Sequence, residues 1–261
     1  MTQLSVNVNK VATLRNARGG AEPSVVAAVR TCVEAGAPGI TVHPRADARH
    51  ITPQDVDDIA AFLAHRQAQG DPELRRQVVP LRGHVEFNIE GDPRPALIDM
   101  VLRVRPDQCT LVPVTPGEIT SHAGWQADAA GARLADVIPR LQAAGIRVSV
   151  FIDPDEEAVR WARQIGADRV ELYTEPFAKA FARSRAEGER SFATYAAAAE
   201  LAHGLGLAIN AGHDLDLDNL TLFRRLPHLA EVSIGHALIS RALWVGLDRA
   251  VKDYLQVICD L

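Results

Sequence analysis

Cysteine is scarce in this chain, positive charge is not in excess, and no long apolar run is present. The three cysteines, Cys32, Cys109 and Cys259, are odd in number and far apart, which gives no basis for a disulfide framework or a thiolate metal site. Each reads as a small buried apolar side chain. A formal net charge of -5 speaks against nonspecific nucleic-acid binding, so an anionic ligand has to be held by a local cluster of cations. No apolar stretch is long enough to cross a bilayer. The start of the chain, Met1-Thr-Gln-Leu-Ser-Val6, lacks a basic region followed by an apolar run. Both features point to the cytoplasm and away from a membrane. No G-x-G-x-x-G follows the first predicted strand, which disfavours a dinucleotide. The absence of H-x-H, H-E-x-x-H and clustered aspartates disfavours a metal.

What is present is an alternation. Across 261 residues, 47% hydrophobic and 23% charged, short apolar runs alternate with amphipathic stretches, the pattern of parallel strands joined by helices. Strands are predicted at residues 4–8, 39–42, 84–88, 108–112, 147–152, 170–172, 207–210 and 231–234. Helices are predicted at 22–35, from Thr52-Pro53-Gln54-Asp55 towards 69, at 93–104, 134–144, from the acidic start at Asp153, from a Ser191 cap to 204, at 217–226 and from Gly235 onwards. Residues 70–83 read as an exposed excursion, and 113–131 as a long loop with a short helix. Eight strand–helix pairs in this length predict an α/β protein of one domain, 1–261, closed as a (β/α)8 barrel with extra helical or loop excursions.

In such a barrel the chemistry collects where strands end. The stretch Gly39-Ile-Thr-Val-His-Pro-Arg45, continuing to Arg49 and His50, passes from an apolar strand to titratable and cationic groups suited to proton exchange and anion binding. The other strand ends supply Asn7 and Asn9, Glu86 with Asn88, Asp153, Glu171, Asn210 with His213, and Gly235-His236. Glu86 has two readings. A carboxylate at the barrel mouth would be desolvated and raised towards the range of a general base; the other is a buried pair with an arginine. Gly235-His236 opens a helix at the eighth strand, where barrels commonly bind phosphate on backbone N–H groups. Lys10, Arg15 and Arg18 form either a second anionic pocket or a solvated basic face.

Several of these stretches, Val6-Asn-Val-Asn-Lys-Val-Ala-Thr-Leu-Arg-Asn-Ala-Arg-Gly19, Gly39 to Arg45, Arg49-His-Ile-Thr52, Val150-Phe-Ile-Asp153, Asn210-Ala-Gly-His213 and Ile234-Gly-His-Ala237, resemble the pyridoxine 5′-phosphate synthase family, in order and over nearly the whole chain. The resemblance implies a (β/α)8 barrel without metal or redox cofactor, usually an octamer built from dimers. It also implies condensation of 1-deoxy-D-xylulose 5-phosphate with 3-amino-2-oxopropyl phosphate to pyridoxine 5′-phosphate, phosphate and water. By the same resemblance His43 and Glu86 accept protons, His213 donates one and Glu171 stabilises a transition state. Asn7, Arg18, Gly235 and His236 hold the aminoketone phosphate, and Arg45, His50 and Thr120 the sugar phosphate. Three departures stand out: Asn9-Lys10 replaces an Asp-His pair assigned to the sugar phosphate, Asp214 replaces a glycine beside a phosphate site, and the 70–83 segment is longer. Two other functions fit the same pattern, a related barrel lyase or aldolase acting on another phosphosugar and a noncatalytic phosphometabolite binder.

Overall fold

A computed structural model of the protein describes residues 1–69, 84–114 and 123–259. Eight parallel strands close into a barrel in chain order: β1 (Gln3–Asn7), β2 (Gly39–Val42), β3 (Glu86–Gly91), β4 (Gln108–Leu111), β5 (Arg147–Ile152), β6 (Arg169–Tyr173), β7 (Ala208–Gly212) and β8 (Leu229–Ile234). Helices α1 (Asn9–Asn16) and α2 (Val25–Glu34) follow β1, α3 (Pro53–Gln69) follows β2, and α4 (Pro95–Val104) follows β3. After β4 come α5 (Ala129–Ala132) and α6 (Leu134–Ala143), after β5 α7 (Glu156–Gln164), and after β6 α8 (Glu175–Arg183) and α9 (Arg185–Gly204). The circuit ends with α10 (Leu217–Phe223) after β7, then α11 (His236–Val245) and α12 (Leu247–Cys259) after β8. The predicted (β/α)8 barrel is therefore the fold. The predicted excursion at 70–83 lies outside the described residues.

Local chemistry starts these helices. Ser24, Asp155, Ser184 and Asp216 each accept a bond from a backbone N–H of the following first turn, satisfying donors that a helix cannot pair internally. At α3 the Asp55 N–H donates to Thr52 Oγ1 at 3.2 Å and the Thr52 N–H donates back to Asp55 Oδ2 at 2.8 Å. Three of the departures from the sequence-based expectation concern where helices begin and end. Residues 9–16 form α1; Arg15 Nη2 bonds Asp55 Oδ2 at 2.9 Å, tying α1 to α3. Helix α9 starts at Ser184, not Ser191, and Gly246, at φ +85°, separates α11 from α12.

The inside of the barrel is polar. Along the strands the apolar alternates, such as Leu4 and Val6, Ile40 and Val42, Val148 and Val150, are fully buried in the main core. The other set faces the lumen, where Ser5 Oγ and Thr41 Oγ1 are 2.7 Å apart, Asn88 Nδ2 donates to Thr41 Oγ1 at 3.3 Å, and Thr110 Oγ1 donates to Asn88 Oδ1 at 3.1 Å. Asn210 Nδ2 of β7 reaches across to Gln108 Oε1 of β4 at 3.4 Å. Barrel lumens are more often filled by branched apolar side chains. Here mutual hydrogen bonding offsets part of the desolvation cost.

Candidate active site

A cavity of about 510 Å³ opens at the C-terminal end of the strands. Most elements bring one or two groups to it and the segment after β2 brings four: Asn7 comes from β1, Asn9 and Lys10 from the head of α1, His43, Arg45, Arg49 and His50 from the segment after β2, and Glu90 from β3. Glu171 and Glu175 come from β6 and α8, His213 and Asp214 from the turn after β7, and Gly235 and His236 from the start of α11. Of the residues expected from sequence, the cavity thus gathers Asn7, Asn9, Lys10, His43, Arg45, His50, Glu171, His213, Asp214, Gly235 and His236.

Glu90 occupies the place expected for Glu86. Glu86 opens β3 at the opposite, N-terminal end, with Oε1 2.6 Å from Arg147 Nη2, and lines a separate cavity of about 810 Å³ there. Side chains repeat on one face every second residue, so Glu86, Asn88 and Glu90 share the lumen face and the last of them reaches the mouth. Of the two readings of Glu86, the arginine pair is the one the structure contains. Arg18 also departs from expectation: it is exposed in the turn beyond α1 and does not line the cavity. Thr120 lies outside the described residues. Asp153 accepts from the Gly124 N–H at 3.3 Å and from Gln126 Nε2 at 3.1 Å, holding the loop before α5 rather than lining the cavity. Asn210 sits deeper, within the lumen network.

Three buried acid–base groups converge. Glu90 Oε2 lies 3.9 Å from His43 Nδ1 and accepts from Asn7 Nδ2 at 3.4 Å. Burial, and then the negative charge of Glu231, push the Glu90 carboxyl up to about 8. Burial, then the charge of Glu90, also raise Glu171 well above the ordinary carboxylate range. His43 moves the other way, to about 3, through burial first and then His50, Arg45 and Arg94. At neutral pH the His43–Glu90 contact therefore joins a neutral imidazole to a protonated carboxyl and is not an ion pair. His43 Nε2 and Glu171 Oε2 have no hydrogen-bond partner among the described residues. Such a set can take and return protons on a bound molecule without carrying net charge in a dry site.

Around this centre the charges are segregated. On the β1–β2 side are Lys10, Arg45, Arg49 and His50. His50 is lowered to about 4 by burial, then by Lys10 and Arg45, and its Nδ1 accepts the Ile51 N–H at 2.9 Å. Its proton accordingly sits on Nε2, a donor. Asn9 Oδ1 accepts the His43 N–H at 2.9 Å and the Asn9 N–H donates to Asn7 Oδ1 at 3.0 Å, so an asparagine serves there wherever the demand is for an acceptor oxygen. On the β6–β7 side are Glu175 and Asp214, the latter with Oδ2 3.6 Å from His213 Nδ1. At β8, a Cβ on Gly235 would lie 3.0 Å from Asn7 Cβ, and no side chain caps α11. Gly235 and His236 line the cavity, so this uncapped helix start is placed to serve as an anion cradle. Among the described residues no group of three or more His, Cys, Asp or Glu is arranged to hold a metal ion, and no helix is long and apolar enough to cross a membrane.

Sequence reasoning missed Thr13, Glu90, Val112, Phe151 and Glu175 among the lining residues. The signal for Glu90 was available in Glu86-Phe-Asn-Ile-Glu-Gly91, whose polar alternates continue two residues past the expected strand end.

The family model described as pyridoxal phosphate biosynthesis protein PdxJ matches residues 4–260. Pyridoxine 5′-phosphate synthase of Leptospira biflexa is 49% identical over 261 residues, covering 99% of this chain and 97% of its own length. The enzyme of that name from Bacteroides fragilis is 49% identical over 255 residues, covering 97% and 98%, and that from Porphyromonas gingivalis is 47% identical over 255 residues, again covering 97% and 98%. Among solved structures, thiamine phosphate pyrophosphorylase from Pyrococcus furiosus superposes with a TM-score of 0.59 at 14% identity, covering 99% of this chain and 96% of that one. Phosphoribosyl anthranilate isomerase from Thermotoga maritima gives 0.56 at 12% identity with 100% of both chains covered. Identities that low carry the barrel architecture alone. A family match over almost every residue, joined to near half identity with full-length relatives, means that the chain belongs to the PdxJ family of pyridoxal phosphate biosynthesis proteins.

Proposed function

We propose that this chain is a pyridoxine 5′-phosphate synthase, condensing 1-deoxy-D-xylulose 5-phosphate with 3-amino-2-oxopropyl phosphate. The observation that carries it is the meeting of His43, Glu90, Glu171 and His213 in one cavity between a cationic wall and an uncapped helix start. Both substrates are phosphate anions, and imine formation, enolisation and loss of water and phosphate are proton transfers. Lys10, Arg45 and His50 hold the sugar phosphate, and Asn7 with the Gly235-His236 helix start holds the aminoketone phosphate. Arg18, exposed here, is not needed for that cradle. Neutral His43 acts as the base, the Glu90 carboxyl beside it exchanges a proton with the bound substrates, Glu171 stabilises the charge that develops, and His213 returns a proton to the leaving oxygen. Glu90 takes the part that Glu86 cannot reach. No cofactor enters this scheme.

The test is to supply both substrates to purified protein and follow pyridoxine 5′-phosphate by absorbance; no product from folded protein would overturn the assignment. We also propose a cytoplasmic homo-oligomer. Its support is the exposed apolar run Leu243-Trp244-Val245 at the end of α11, with Trp244 87% exposed, a surface of the kind that a second copy covers. Sedimentation as a monomer at working concentration would refute that part.

A further inference from the structure

Two consecutive lining residues, His213 and Asp214, are left-handed at φ +84° and +60°, a conformation that side chains with a Cβ disfavour. Such strain persists where surrounding contacts over-determine it. The contacts come from Thr174, just beyond β6 and fully buried. Its N–H donates to Gly212 O at 3.2 Å, its hydroxyl donates to Gly212 O at 2.7 Å, and the same hydroxyl lies against His213 O. Thr174 is also the residue before α8, where a threonine hydroxyl ordinarily caps the helix. Here it makes no cap bond; it is diverted to the end of β7.

Thr174 is itself anchored through the residue before it. Tyr195 of α9 donates its hydroxyl to Tyr173 O at 2.6 Å, fixing the residue before it. The Tyr173 ring meets the His213 imidazole edge-on, centroids 5.3 Å apart at 75°. Glu171 leaves no room beside it, because a Cβ on Gly212 would be 2.5 Å from Glu171 Oε1. Glu171, Tyr173 and Thr174 on one strand end therefore fit Gly212 and His213 on the next as one unit.

We infer that Thr174 is a positioning residue for the reaction, its hydroxyl holding the left-handed turn that presents the His213 imidazole to the cavity. This rests on His213 as the proton donor of the proposed synthase. The experiment compares Thr174→Val, which keeps shape and loses the hydroxyl, with Thr174→Ser, which keeps the hydroxyl, and with His213→Gln. Thr174→Val is expected to lower kcat about 10- to 100-fold while both KM values stay within about twofold, and Thr174→Ser to restore kcat. Wild-type kcat in folded Thr174→Val, or a Thr174→Ser as impaired as Thr174→Val, would overturn the inference. Should the valine variant not fold, Thr174→Ala against Thr174→Ser makes the same comparison. Full turnover by His213→Gln would instead remove His213 from the mechanism. The His213 ring signal in 1H–15N spectra reads positioning without turnover: it is expected to keep its place in Thr174→Ser and to shift or broaden in Thr174→Val, and an unmoved signal in Thr174→Val would also sink the inference.

Discussion

Glu86 and Glu90 lie four residues apart on the same face of β3 and meet different surroundings. Glu86 is beside Arg147, with its side chain 15% and that of the arginine 36% exposed, so solvent weakens the pair to about 1 kcal/mol or less. Among the described residues no Lys or Arg is paired with Glu90; its partners are His43, the Asn7 amide and the Ser233 side chain. Burial therefore favours its protonated form over the ionised one. Glu90→Gln is expected to cut turnover by about 10²- to 10⁴-fold, the usual worth of a general acid–base group, with inorganic phosphate still bound in calorimetry. Glu86→Gln should leave kcat unchanged and lower the melting temperature slightly, because Arg147 then faces Arg169 without compensation. The reverse pattern in the two variants, measured side by side, would return the catalytic carboxylate to Glu86.

At the scale of elements, the eight strands and most helices are legible in the sequence, because strand ends are marked by polar residues after apolar ones and helix starts by Ser, Thr and Asp caps. Two kinds of feature were not. A strand with a polar inner face has no apolar stop signal, so β3 reads as ending at Asn88 although its alternation continues through Glu90; a two-residue shift then selects the wrong glutamate. Helix α1 has no side-chain cap and no acidic first turn, so its charges read as a basic loop, although Arg15 is committed to Asp55. The site was legible as a set of strand-end groups, but contacts between strands were not. Gly212 shows this: its missing side chain reflects Glu171 Oε1 and Ser233 O, 2.5 and 3.2 Å from where a Cβ would sit. Gly212→Ala should cost about 1–3 kcal/mol through overpacking, seen as a lower denaturant midpoint, and should reduce kcat by displacing the Glu171 carboxyl. A variant with the wild-type midpoint and rate would mean that Glu171 swings aside freely.

For the molecule as a whole, a barrel filled with polar side chains makes stability depend on pH in a way an apolar barrel would not. Burial raises Glu90 and Glu231 to about 8, with Glu231 further raised by Glu86 and opposed by Arg169, and raises Glu171 in the same direction. A glutamate in the unfolded chain ionises near 4.5, so from there up to about 8 the folded chain holds more protons than the unfolded one. Stability then falls as pH rises through that interval, since protons released on unfolding favour the unfolded state. His43 and His50, lowered to about 3 and about 4 from an ordinary 6.5, act oppositely. They bind fewer protons when folded and cost stability as pH falls below 6.5. The two effects offset each other below 6.5, but above it the imidazoles are neutral in both states and the carboxyls act alone. The melting temperature is therefore expected to decline between about pH 6.5 and 8. The decline should be shallower in Glu90→Gln, which removes one of the protons lost. Calorimetric scans across that interval decide the matter: a melting temperature that stays flat or climbs would show that the lumen carboxyls are already ionised in the folded barrel, and that Glu90 is not the protonated partner of His43.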